Sequence, residues 1–181
     1  MIYVVVVIVV ALVVLLCIGY NQLIRLKNRV KDQWSQIDVL LKRRCDLIPN
    51  LVETVKGYAA HEKETLEAVV NARNKSVTAN SVNDSTVANS ELTGALSRLF
   101  ALSESYPDLK ADTNFIDLQK NLRETEEKIA YARQFYNDAV LIYNNKVEMV
   151  PTNIVALLFG FKKYCFFEIS DEDRQVTKVK F

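Results

Sequence analysis

The sequence predicts an all-α protein: an N-terminal transmembrane helix followed by an antiparallel, up-and-down bundle of three long helices and a short fourth. Three observations lead there. The opening stretch MIYVVVVIVVALVVLLCIG carries no charge. Two later stretches repeat apolar residues at a mean step of about 3.6, the period of an α-helix. Four glycines and three prolines in 181 residues leave few places for the chain to turn.

The first nineteen residues read as a membrane anchor. As a helix they span roughly 28 Å, close to the hydrocarbon thickness of a bilayer. The valine run at residues 4–7 is a mediocre helix former in water, but in lipid a lone segment satisfies its backbone only as a helix. A cleaved signal peptide would need a basic n-region and a small-x-small cleavage site. Nothing basic precedes the run except the amino terminus, and Cys17-Ile18-Gly19-Tyr20 offers no such site. A lipoprotein cysteine at Cys17 would need small residues before it, and Leu15 and Leu16 are not small. Arg25, Lys27, Arg29 and Lys31 follow against one acid, Asp32. The positive-inside rule therefore places residues 20–181 in the cytoplasm of a single-pass inner or cytoplasmic membrane protein. Three cysteines, Cys17 within the anchor, make no disulfide framework. With 23 basic against 22 acidic residues, the chain lacks the basic excess of a nucleic-acid binder.

Beyond the anchor, positions 30, 34, 37, 41, 45, 48, 52, 55, 59, 62 and 66 read Val, Trp, Ile, Leu, Cys, Ile, Val, Val, Ala, Glu, Leu. This stripe predicts one long helix over about residues 20–75. Pro49 removes one ladder bond, to the carbonyl of Cys45; because the stripe keeps its phase across it, a kink is expected rather than a reversal. NKSVTANSVNDSTVANS, residues 74–90, is rich in Ser, Thr and Asn, which compete with the backbone for hydrogen bonds, so it reads as a loop or frayed helix end. A second helix carries Leu92, Leu96, Leu99, Leu102 and Tyr106 and stops at Pro107. Asp112 or Thr113 is a candidate N-cap for a third helix, whose stripe runs from Phe115 to Val147. Pro151 ends it, Thr152 can cap a short helix NIVALLFG, and Gly160 closes that. The remainder alternates aromatic and charged residues and reads as partly disordered, with 169–181 as a charged tail.

Three blocks carry a resemblance: YNQLIRLKNRVKDQWSQIDVLLKRRCDLIPNLVETVKGYAAHEKETLEAVVNAR, LFALSESYPDLKADTNFIDLQKNLRETEEKIAYARQFYNDAVLIYN and PTNIVALLFGFKKYCFFE. Together, from about Tyr20 to Glu168, they resemble the bacterial LemA family of membrane-anchored proteins. The resemblance implies a four-helix, bromodomain-like bundle over residues 20–168 and no enzyme, and it carries over no catalytic residues. Cys45 departs from it, standing where a histidine or another polar residue is expected.

The candidate chemistry is thin. Tyr58 stands where a helical di-metal site would put the Glu of Glu-x-x-His before His61, and HEKE lacks the second histidine of HExxH. Cys45 and His61 lie roughly 24 Å apart along one helix. Cys45 falls on the buried stripe, where packing is its expected role. Lys56 can pair with Glu53, and Arg43 or Lys42 with Asp46. Glu62 falls on the apolar stripe, so it must find a partner or lie where the stripe leaves the core; Arg133 is a candidate partner. Tyr136 and Tyr143 share a face, either as an aromatic groove for a ligand or as core tyrosines bonded at their hydroxyls. With Arg44, these give the structural or interaction candidates Arg43, Arg44, Asp46, Glu53, Glu62, Arg133, Tyr136 and Tyr143. Phe159, Phe161, Tyr164, Phe166 and Phe167, beside Lys162 and Lys163, suggest a second membrane contact. A continuous first helix, however, would carry the chain roughly 80 Å from the bilayer and the third would lead away again. Packing on the bundle or on another subunit is then expected of these aromatics.

The expected function is a membrane-anchored scaffold or adaptor that self-associates, without catalytic residue, metal or cofactor. Its expected partners are lipid, through the anchor, and protein, including further copies. The alternative is a membrane-remodelling or stress-sensing module that assembles along the bilayer.

Overall fold

A computed structural model describes residues 1–167, which form six helices and no strand. They are α1 (Ile2–Tyr58), α2 (Lys63–Thr78), α3 (Val82–Ser103), α4 (Pro107–Ala111), α5 (Thr113–Glu148) and α6 (Thr152–Phe159). The expected charged tail, 169–181, lies outside the described residues. The chain divides into two compact units: residues 1–36 with 134–166, and residues 37–133 with Phe167.

The second unit is a helical bundle around one core, with Cys45, Ile48, Leu51 and Val55 from α1, Leu66 and Val69 from α2, Leu92 and Leu99 from α3, Leu109 from α4, and Phe115 and Leu122 from α5. Burying a side chain of the Leu, Ile or Phe class contributes about 1.5–3 kcal/mol, so the stripe positions carry most of the stability. Directions follow from pairs of contacts. From Arg44 towards Tyr58, the partners on or capping α5 change from Glu126 to Asp112, so α1 and α5 are antiparallel. From Arg44 towards Glu62, the partners on the α3 side change from Asn89 to Tyr106, so α1 and α3 run together.

The expected single helix over 20–75 is corrected here. Arg73 Nε lies 3.4 Å from the Cys45 carbonyl oxygen; in a continuous helix those residues would stand about 42 Å apart. The chain therefore reverses at residues 59–62, and α2 folds back on α1 as a separate arm. Helix α1 runs on through Pro49 to Tyr58. The stripe concealed the reversal because both helices bury the same stripe, and periodicity is blind to direction.

The Ser/Thr/Asn-rich stretch is also mostly helical; only residues 79–81 interrupt it. The Ser81 hydroxyl accepts the Asp84 N–H at 3.1 Å and caps α3. Its small residues Ser85, Ala88 and Asn89 are buried in line with Leu92. Pro107 stands at the first position of α4, a place that suits its missing N–H. Asp112, rather than Thr113, caps α5: its Oδ1 accepts the Phe115 N–H at 2.8 Å.

In the first unit, α1 contributes buried Leu23 and Val30, α5 contributes Tyr136, Val140 and Tyr143, and α6 contributes Val155 and Ala156. The Trp34 and Tyr136 rings lie 5.7 Å apart. Gly160, at φ 69°, ends α6 in the left-handed region, and the Phe161 N–H returns to the Ala156 carbonyl at 2.9 Å. Thr152 does not cap α6. Its hydroxyl lies within hydrogen-bond distance of the carbonyls of Lys146 and Met149, at the end of α5. Almost every side chain of residues 2–18 is exposed.

Candidate functional site

Among the described residues, a buried polar cluster in the second unit is built on Arg44. Its side chain is only 4% exposed, because position 44 follows Leu41 by three residues and shares the core side of α1. Arg44 Nη1 donates to Asn89 Oδ1 at 2.5 Å, and Nη2 donates to Thr93 Oγ1 at 3.0 Å. The same Nη2 meets Glu126 Oε2 at 2.9 Å, with the Glu126 side chain 39% exposed. Thr93 in turn donates to the Asn89 carbonyl at 3.0 Å. Burial holds the arginine below its usual pKa, Glu126 opposes that shift, and Arg133 adds to it. A cleft of about 210 Å³ lies alongside, lined by Arg44, Phe100, Gln119, Arg123 and Glu126 among others.

The arginine itself cannot serve as a proton acceptor in a protein, and its contacts are those of a structural tie. It ties α1, α3 and α5 together at one level, and a sliding of any arm by one turn would strand a buried cation. Sequence reading named Arg44 but not Asn89, Thr93 or Glu126. The available signal was a cation three residues from the stripe position Leu41.

Other candidates are placed as follows. Arg43 and Asp46 are exposed on α1, and no ion pair joins them among the described residues. Glu53 meets Lys56 at 3.6 Å on an exposed face. Glu62 does not pair with Arg133. It stands in the turn before α2, where the stripe leaves the core, and its Oε1 accepts the Tyr106 hydroxyl at 3.0 Å. Arg133 instead lies over the Phe167 ring, 4.6 Å from its centroid. Cys45 is buried in the core cluster, and His61 is exposed in the turn.

Tyr136 and Tyr143 are core residues with bonded hydroxyls rather than walls of an open groove. Tyr136 donates to the Cys165 carbonyl and Tyr143 to the Lys162 carbonyl, each at 3.0 Å. Asn144, which is not among the candidates named from the sequence, completes the clasp. Its amide nitrogen donates to the Tyr164 carbonyl at 2.9 Å, and its Oδ1 accepts the Tyr164 N–H at 3.0 Å. Residues 162–165 are thereby laid along α5 as an added strip of backbone. Burial pushes the Tyr136 hydroxyl up to about 12 and raises Tyr143 in the same direction.

The C-terminal aromatics are not remote from the apolar N-terminal helix, against the expectation from chain length. Tyr20 packs against Phe159 in a tilted arrangement at 4.8 Å and against Phe161 edge-on at 5.7 Å between centroids. Lys27 Nζ sits 5.7 Å over the Phe161 ring. At Gly19, a Cβ atom would stand 3.1 Å from Val155 Cγ2, so α6 packs close against this position and leaves no room for a large side chain. That expectation rested on one helix over residues 20–75, which the reversal at residues 59–62 removes.

These features define a class: an all-helical bundle protein with one N-terminal helix long and apolar enough to cross a membrane. The LemA family model matches residues 33–181, so the chain belongs to the LemA family. Among its relatives, Magnetosome protein MamQ 2 of Paramagnetospirillum magneticum is 26% identical over 88% of this chain and 68% of its own. Protein LemA of Metamycoplasma hominis is 27% identical over 85% of this chain and 71% of its own. Magnetosome protein MamQ of Magnetospirillum gryphiswaldense is 24% identical over 87% and 68% respectively.

Proposed function

We propose that this protein is a non-enzymatic, membrane-anchored helical scaffold or adaptor that acts through protein–protein contacts, including contacts with further copies of itself. One observation carries the reading. On α5, Phe135, Leu141 and Ile142 are exposed, and with Arg29, Gln33 and Asp138 they line a surface cleft of about 450 Å³. An apolar centre with a charged and polar rim is the make-up of a protein contact surface. The uncharged, exposed helix of residues 2–18 supplies the anchor, and the basic run from Arg25 to Lys31 favours a cytoplasmic bundle. The relatives called magnetosome proteins are named for a cellular structure rather than for a reaction, which supports a structural role.

The test is the mass distribution of the full chain in nanodiscs and in detergent across a wide concentration range. Oligomers that dissociate in Phe135→Glu and Ile142→Glu support the reading; monomers at every concentration would remove the self-association. The alternative, a module that remodels or senses the bilayer while assembling along it, draws support from the apolar α6 beside the anchor. Cryo-electron microscopy of proteoliposomes showing ordered arrays or tubules would select it.

A further inference from the structure

We propose that the outer face of α6 lies in the headgroup–acyl boundary of the bilayer, as a second membrane contact beside the anchor. The inference rests on the reading of residues 2–18 as a membrane span.

The helix is apolar on its outer face as well as its inner one, unlike a surface element in water. Ile154, Leu157 and Leu158, spaced i, i+3, i+4 on one face, are 54%, 85% and 66% exposed. Val150, just before the helix, is 77% exposed. The opposite face, Thr152, Val155 and Ala156, is buried on the protein. Surface helices of proteins in water show the opposite arrangement, with charged and polar residues outward.

Position then decides what covers this face. Helix α6 docks on Gly19 and Tyr20, where the uncharged run ends. Tyr3 and Tyr20 are separated by about 26 Å along the helix, so each falls at the level where interfacial tyrosines gather. A helix fixed against Tyr20 is therefore held at one membrane–water boundary. Its exposed face thus belongs to a helix seated at the end of the exposed, uncharged run of residues 2–18. Around a membrane span the occupant of such a face is lipid. Arg25 and Lys162 are exposed nearby, and cations at this level attract anionic headgroups. The face is thus an apolar interfacial element, placed to bury its side chains at the headgroup–acyl boundary and tied to the protein by Gly19, Tyr20 and the clasp on residues 162–165. It would fix the height and tilt of the protein at the bilayer, which a single helix leaves free.

The test uses the full chain, with Trp34→Phe as background, reconstituted in phosphatidylcholine–phosphatidylglycerol vesicles with and without acyl-brominated lipid. Single tryptophans are introduced by Leu157→Trp, by Leu12→Trp in the anchor and by Val87→Trp on α3. The expected result is that Leu157→Trp and Leu12→Trp lose emission in brominated lipid while Val87→Trp does not. Quenching of Leu12→Trp without quenching of Leu157→Trp leaves the anchor standing and overturns this proposal. A blue-shifted but unquenched Leu157→Trp also overturns it, since a protein surface then covers the face. Loss of quenching at Leu12→Trp overturns the anchor reading and this inference with it. Because Leu157 points away from the core, its replacement leaves the fold intact, which far-UV circular dichroism checks.

Discussion

Arg73 Nε donates to the carbonyl oxygen of Cys45 at 3.4 Å, and that carbonyl is the one Pro49 deprives of its ladder partner. A proline at position 49 has no N–H to give four residues back. The long hydrogen bond from α2 takes up the acceptor instead. A helix defect that sequence reading marked as a kink is thus a docking point for the returning arm.

This pairing predicts a coupled pair of substitutions. Arg73→Met should destabilise the protein by roughly 0.5–1.5 kcal/mol through the lost bond. Pro49→Ala should stabilise α1 by about 1–3 kcal/mol, returning an N–H to an exposed helix position. In the Pro49→Ala background the cost of Arg73→Met should shrink. A double-mutant cycle by urea unfolding measures this, and strict additivity would remove the assigned role of Arg73.

Arg44 predicts an asymmetry. Arg44→Met leaves the buried Asn89 without its donor and should cost about 2–4 kcal/mol, whereas Glu126→Gln, on a partly exposed side chain, should cost about 1–2 kcal/mol. Adding Asn89→Leu to Arg44→Met should recover part of the loss, because it removes the orphaned amide. Thermal or chemical unfolding of the three variants decides it.

The clasp on residues 162–165 should open when Asn144 is removed. Asn144→Ala loses two hydrogen bonds to Tyr164 and should raise amide exchange at Tyr164 by about tenfold or more, as expected for a loss near 1.4 kcal/mol. Tyr136→Phe should have a smaller effect near neutral pH. Its pKa is raised in the fold, so its contribution is complete below the unfolded value of about 10 and is lost as pH rises towards about 12. Wild type should therefore lose stability across that alkaline window more steeply than Tyr136→Phe.

Asp112 sets an acid limb. Its carboxyl is held below the usual range first by the Phe115 N–H and then by the Tyr58 hydroxyl, 3.0 Å away. A depressed pKa stabilises above the unfolded value, about 3.9, and the benefit fades as pH falls through the folded value. Asp112→Ala should lower the Tm by a few degrees at pH 7, and the gap to wild type should narrow below about pH 4. A gap independent of pH would mean that the carboxylate charge contributes nothing.

Gly19 tests the seat of α6. A Cβ there meets Val155 Cγ2 at 3.1 Å, a contact that a small shift relieves, whereas a leucine cannot be accommodated without displacing the helix. Gly19→Ala should be nearly neutral. Gly19→Leu should raise amide exchange across residues 152–159 while leaving α3 protected.

The sequence by itself determined the class of fold, the family, the apolar N-terminal helix and the stripe that becomes the core, because hydrophobic periodicity and a charge-free run are properties of neighbours along the chain. It also placed Asp112 among the caps and Gly160 at the close of α6, since both act within a few residues. Tertiary structure decided what periodicity does not encode. The direction of the chain after Tyr58 follows from α2 meeting α1, so Arg73 reaches Cys45. The helicity of residues 82–90 follows from burial of Ser85, Ala88 and Asn89, small enough for close packing and, at Asn89, matched to Arg44. Glu62 found Tyr106 rather than Arg133 because the reversal set it at the turn. The nearness of Phe159 to Tyr20, which spans most of the sequence, is a long-range packing contact, and periodicity, a property of neighbours along the chain, carries no information about it.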